Sequence, residues 1–318
     1  MLIFGNPENL RRCVTASILA AVTAGLASAA GTTTTLLDQP LESGIANNVF
    51  VTDVDKVPVG SWEMVIGQKS PYTATGRLVT TAWNAGSQTG FTPVSPSTAQ
   101  VGYRNKAGTS TVQMEDGTVG AYLNSSDLPT TLTEQNMVFS PQYKWPAGAA
   151  PVPFSQSTSV LNAELELQVP TAEGKATCVK LDLLFLDPSG THILFGVQIF
   201  CNEAPGAVVR TFYSPLEGIY KVNAPLAKGQ QFLSLTAGSM TKVGVPWSGY
   251  RHVQFSINPT QFSAAIKYLM SQYPGKLASY DPTQYVLSQV RLDPEFHYST
   301  APAELGWSMR GLNVWQTG

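Results

Sequence analysis

Four acidic residues fall in strand-like segments of this chain: Glu164, Glu166, Asp182 and Glu295. A protonated carboxyl can hand a proton to a leaving oxygen, and an ionised one can meet a carbon that turns cationic. Two of them flanking one bond are the equipment of glycosidic cleavage. Alternation assigns their faces. In 161–169, Leu161, Ala163, Leu165, Leu167 and Val169 form one face, and Asn162, Glu164, Glu166 and Gln168 the other. Neighbouring carboxylates repel, so this second face is either solvated or lines a polar groove for hydroxyl-rich ligands. In the groove reading Glu164 tunes its partners, and Asn162, Glu166 and Gln198 are contacts. In 179–185, Val179, Leu181, Leu183 and Phe185 share a face, which puts Asp182 with Lys180 on the other. An ion pair with Lys180, or plain exposure, competes there with catalysis. Glu295 follows Pro294, which is expected to end or bulge a ladder and aim the side chain into a cleft.

Other chemistries find little support. His192, His252 and His297 are scattered, with no HxxxH or CxxC spacing for a metal. No GxSxG elbow, Gly-rich phosphate loop or dinucleotide fingerprint occurs, so neither a metal nor a cofactor is expected. Six tryptophans offer flat rings to the C–H faces of sugars. Trp62, Trp83, Trp307 and Trp315 read as core. Trp145 and Trp247 sit in turn-like sequence and are expected as exposed platforms.

The chain of 318 residues has only 13% charged residues, 43% apolar residues and a mean hydropathy near zero. This is a globular composition with an uncharged polar surface, as in exported β-rich proteins. The formal net charge of -2 lacks the basic stripe of a nucleic-acid binder. Residues 1–30 place Arg11 and Arg12 before an apolar run and end on Ala27-Ser28-Ala29, the layout of a cleaved secretory signal. The expected protein is secreted or periplasmic, with a polysaccharide or oligosaccharide as partner, no nucleic acid, and no membrane after cleavage. Cys13 leaves with the signal, so the pair Cys178 and Cys201 remains. Asp187-Pro188-Ser189-Gly190 between them is turn chemistry. A loop over 187–192 pairs residues whose numbers sum to 379, which sets Cys178 opposite Cys201 and predicts a cross-strand disulfide.

These residues need strands to hold them. Short apolar runs broken by Gly, Pro, Asn and Asp recur from Val49 onward, the pattern of an all-β sandwich. One helix is predicted after Asn258 as N-cap and Pro259, with Phe262, Ile266, Leu269 and Tyr273 in helical register and Pro274-Gly275 as its stop. Residues 31–318 read as one domain, with 31–50 a loop-rich leader.

The order of elements over about residues 135–315 resembles glycoside hydrolase family twelve, endoglucanases with a concanavalin A-like jelly roll. The similarity lies in Asn162–Leu167, Cys178–Leu186, the helix in Phe255–Leu269, and the last two strands, Tyr285–Phe296 and Leu305–Val314. The resemblance implies a jelly-roll β-sandwich and retaining hydrolysis of a β-glycan, with Glu295 as general acid/base. It also implies a nucleophile in Cys178–Leu186. Aligning Phe185 with the family's Trp places Leu181 at that position, and a shift by one places Asp182 there. Three functions therefore stand: a β-glycan hydrolase using Glu295 and Asp182, a non-catalytic glycan binder on the same fold, or an exported structural or adhesion protein.

Overall fold

The computed structural model describes residues 32–38, 45–53, 58–66, 74–80, 91–97, 100–105, 111–115, 118–126, 135–145, 148–202, 209–214, 218–227, 230–238, 245–298 and 301–318. The reading of 1–30 as a signal, and Trp83, lie outside them, as do the side chains of Trp62 and His297. The early strands are β1 (Thr33–Asp38), β2 (Ile45–Asp53), β3 (Pro58–Ile66), β4 (Ala74–Thr80), β5 (Phe91–Ser97), β6 (Gln100–Asn105), β7 (Thr111–Glu115), β8 (Thr118–Asn124) and β9 (Gln135–Lys144). Then come β10 (Val160–Glu173), β11 (Lys175–Leu186), β12 (His192–Cys201), β13 (Arg210–Ser214), β14 (Ile219–Pro225), β15 (Ser234–Ala237) and β16 (Trp247–Ile257). Helix α1 (Pro259–Gln272) precedes β17 (Val286–Tyr298) and β18 (Glu304–Thr317).

The strands form two sheets. The first runs β15-β16-β10-β18-β8-β7-β6-β5, with β1 also on β18; the second runs β13-β14-β12-β11-β17-β9-β2-β3-β4. All pairings are antiparallel except β12 with β14. This is an all-β jelly-roll sandwich with a single helix among the described residues. The segment expected as a leader supplies β1 and β2: the last strand's edge and β9 each offered it a ladder.

Alternation builds the core. Leu161, Ala163, Leu165, Leu167 and Val169 of β10 are buried from the first sheet, and Val179, Leu181, Leu183 and Phe185 of β11 from the second. Helix α1 starts in a full capping box, Asn258 accepting from the Gln261 N–H and the Gln261 side chain accepting from the Asn258 N–H. Its buried Phe262 lies 4.7 Å from the rings of both Phe154 and Phe185, which pins the helix to the core. The turn at 187–190 is closed by Asp187, whose carboxylate accepts from Ser189 N, Thr191 N and, across the fold, Ala278 N. Burial alone would raise the Asp187 pKa, and these hydrogen bonds more than offset it, so the net shift is down. Gly190 holds φ at +83°, a conformation that disfavours side chains. No helix among the described residues is long and apolar enough to cross a membrane.

Candidate functional site

The hairpin of β11 and β12 decides which residues meet. Leu186 pairs with His192 and Lys180 with Gln198, one residue tighter than the expected register. The pairing then slips at Ile199, and Val179 faces Phe200 and Cys178 faces Cys201. A bulge thus restores the cysteine pairing that the register near the turn would have missed. Cys178 and Cys201 form a disulfide with a Cα–Cα distance of 4.0 Å.

Because of that tighter register, Asp182 faces Gly196 and Lys180 faces Gln198. On the other flank, Asp182 faces Arg291, Lys180 faces Asp293 and Cys178 faces Glu295. Asn223 of β14 stands beside Gly196. The second sheet therefore carries a ladder of charged side chains on the face turned away from the core. Arg291 Nε donates to Asp182 Oδ2 at 2.9 Å. Lys180 Nζ lies 3.0 Å from Asp293 Oδ2 and 2.5 Å from Glu295 Oε1. Asp182 accordingly pairs with Arg291, where sequence reasoning offered Lys180. Exposure rises along the ladder: side chains are 1% exposed at Asp182, 9% at Asp293 and 20% at Glu295.

The electrostatics pull the aspartates apart. Burial, and then the charge of Asp293, push the Asp182 carboxyl up to about 6 against the opposing pull of Arg291, Lys180 and Lys221. Burial also acts to raise Asp293, but Lys180, Arg291 and Lys221 hold it well below the usual carboxylate range. Burial tends to lower Lys180, and the surrounding Asp293, Glu295 and Asp182 override it and raise its pKa. Asp182 Oδ1 and Asn223 Oδ1 are buried with no hydrogen-bond partner. Both approach Gly196: a Cβ there would lie 2.5 Å from the Asn223 oxygen and 2.8 Å from the Asp182 oxygen.

Glu295 does not stand alone. It shares Lys180 Nζ with Asp293, so the two carboxylates approach within about 5.5 Å. Asp182 stands two register rows from Glu295, roughly 14 Å along the strands at about 3.4 Å per residue. The structure thus brings Glu295 beside Asp293, with Asp182 one row further along the same face, behind Asp293. Pro294 does not end the strand. It faces Val179 within the β11–β17 ladder, and only the β9 side skips 292–294. Asp293 and Glu295 therefore both turn to the polar face.

Glu164, Glu166 and Asn162 lie elsewhere, on the outer face of the first sheet, and the structure does not bring them to Asp182 or Glu295. Glu164 Oε2 lies 3.2 Å from His252 Nε2, and Glu164 Oε1 accepts from Asn313 Nδ2 at 3.3 Å. Glu166 accepts from Arg310 Nε at 2.5 Å. Asn162 donates to the Val160 carbonyl. Gln198 is buried on the ladder face next to Lys180. Neither Trp145 nor Trp247 is an exposed platform. Both are half-buried against the core: Trp145 meets Tyr143 edge-on, and Trp247 donates from Nε1 to the Leu167 carbonyl and packs on Phe200. Turn-like flanks misled here because β16 begins at Trp247 itself. Asp293, Arg291, Asn223 and Gly196 were missed. Period-two counting back from Glu295 would have reached Asp293 and Arg291, had Pro294 not been read as a break. Among the described residues no cluster of His, Cys, Asp and Glu could hold a metal ion.

No family model and no curated sequence matches the chain. Solved structures do. The xyloglucanase domain of NopAA from Sinorhizobium fredii, in complex with cellobiose, is 11% identical, with 72% of this chain and 96% of that one covered and a TM-score of 0.35. The family 12 xyloglucanase from Bacillus licheniformis is 11% identical, with 89% and 99% covered and a TM-score of 0.37. A cellulase derived from Cel12A of Rhodothermus marinus is 11% identical, with 73% and 95% covered and a TM-score of 0.36. These are distant, fold-level matches.

Proposed function

We propose that this chain is an exported glycan-active protein that takes a β-linked polysaccharide against the outer face of the second sheet and cleaves it with Glu295 and Asp293. The observation that supports this reading is that both carboxylates bond the one Lys180 ammonium, at 3.0 and 2.5 Å, so their nearest oxygens lie no more than about 5.5 Å apart, close enough for a retaining pair. Asp293, held ionised by Lys180 and Arg291, attacks the anomeric carbon. Glu295, the most exposed member, protonates the leaving oxygen and then activates the water that frees the sugar. Asp182, buried behind Asp293, keeps a proton in reserve near pH 6 and limits the negative charge at the site. The disulfide fits an oxidising compartment.

One observation favours the second reading, glycan binding without cleavage. Lys180 Nζ already bonds both carboxylates, in the gap where the scissile bond has to sit. Electrophoresis through gels containing mixed-linkage β-glucan, xyloglucan or xylan, with a reducing-end assay on the same polymers, separates the two. Retardation with product supports the hydrolase, and retardation without product supports the binder. Free migration with no product overturns both.

A further inference from the structure

The outer face of the first sheet holds a cavity of about 340 Å³, on the far side of the sandwich from the carboxylate ladder. Its floor comes from three adjacent strands. Gly120 of β8 faces Ser308 of β18, Gly306 of β18 faces Tyr122 of β8, and Gln168 of β10 faces Ser308 from the other side. Glycine is needed at 120, where a Cβ would lie 2.7 Å from Ser308 Cβ and 2.9 Å from the Trp307 carbonyl oxygen. Glycines at 120 and 306 leave the floor low. Tyr122 rises on one flank and Tyr250 of β16 on the other. Their strands stand three spacings apart, roughly 14 Å, and the Tyr250 side chain leans inward until its hydroxyl reaches Ser308 of β18, one strand from Tyr122, which leaves room for about one pyranose ring between the two aromatic walls.

The polar groups of this trough are already aligned. Gln168 Nε2 donates to Ser308 Oγ at 2.7 Å, and the Tyr250 hydroxyl lies 2.8 Å from the same oxygen. One hydroxyl thus meets an amide and a phenol, an arrangement that offers a ligand hydroxyl both donors and acceptors. Tyr122 is exposed, and its hydroxyl is bonded to Glu304, which anchors the ring at the rim. The Arg310 guanidinium, 4.1 Å from the centre of the Tyr250 ring, steadies the opposite wall. None of the described residues lining the trough carries a formal charge. That disfavours phosphate, nucleotide and carboxylate ligands, which call for cations.

We infer that this trough is a second carbohydrate site, for a neutral oligosaccharide that seats a ring between Tyr122 and Tyr250 and whose hydroxyls bond Gln168 and Ser308. It is independent of cleavage, and would hold the polymer while the opposite face works.

Calorimetric titration of the full chain with cellohexaose tests this, in a Glu295→Gln background that removes turnover. Tyr122→Ala and Tyr250→Ala should each weaken binding by about tenfold or more, since each removes a stacking wall. Tyr122→Phe, which keeps the ring, should stay within about twofold. Gln168→Ala should weaken binding without altering the melting temperature beyond a few degrees. The weakening by Tyr122→Ala and Tyr250→Ala should appear whether or not the parent releases product, so a failed hydrolase reading does not touch this one. Affinity undiminished from the parent's in both Tyr→Ala variants, no heat with cellohexaose, or tighter binding of an anionic oligogalacturonate would overturn it.

Discussion

Lys180 and Asp293 face each other across β11 and β17 with Nζ 3.0 Å from Oδ2, and both side chains are almost fully buried. A buried cation of this kind is held by its partners and holds them in turn. Removing one partner leaves an uncompensated charge, which costs more than the pair contributes.

Lys180→Met therefore should destabilise the fold by about 3–5 kcal/mol, because Asp293 and Glu295 lose their shared cation. Lys180→Met combined with Asp293→Leu and Glu295→Leu should recover part of that loss. Chemical denaturation of both variants decides: a single variant as stable as the parent contradicts the buried ladder.

Asp182 makes stability depend on pH with an unusual sign. Its folded pKa of about 6 lies above the 3.8 of an ordinary aspartate, so the native state binds the extra proton between those values. Stability from this group is full below pH 4 and is lost as pH rises toward 6, by on the order of 3 kcal/mol. Asp293 acts oppositely: its depressed pKa gives stability above about pH 4 that is lost on further acidification. Asp182→Asn should abolish the decline between pH 4 and 6 in denaturation midpoints, and a decline of unchanged slope contradicts the assignment.

Gly196 has no room for a methyl group. Its Cβ would lie within 2.8 Å of oxygens on Asp182 and Asn223, so Gly196→Ala should cost about 1–3 kcal/mol. Paired with Asn223→Ala, which removes one of those oxygens, the cost should shrink. A thermal melt of Gly196→Ala matching the parent refutes the close approach.

Cys178 and Cys201 close a loop with a sequence separation of 23. Replacing both by Ser should cost about 3 kcal/mol in the chain-entropy account. Thiol titration of residues 31–318, denatured and unreduced, should find none. Two free thiols contradict the bridge.

The alternation of β10 and β11 was readable from apolar spacing alone, because each strand buries one face and nothing competes with that pattern. Helix α1 was readable because Asn258, Pro259 and Gly275 carry local signals that tertiary packing did not override. The register of the β11–β12 hairpin was not. It depends on a bulge at Ile199, and an apolar residue in an apolar strand carries no mark of it. The site suffered in consequence: a shift of one residue decides whether Gln198 and Gly196 join the Asp182 face. Asp293 was hidden by Pro294, whose missing N–H is tolerated because the β9 ladder is interrupted just there. That Glu164 and Glu295 sit on different sheets follows from strand order, which no local pattern encodes.

The most direct measurement is reducing-end release from a soluble β-glucan by the protein beside Glu295→Gln and Asp293→Asn. The account predicts steady product from the parent, a loss of at least about 100-fold in each variant, and full activity in Tyr122→Ala on a short soluble substrate. Undiminished release by Glu295→Gln would contradict it.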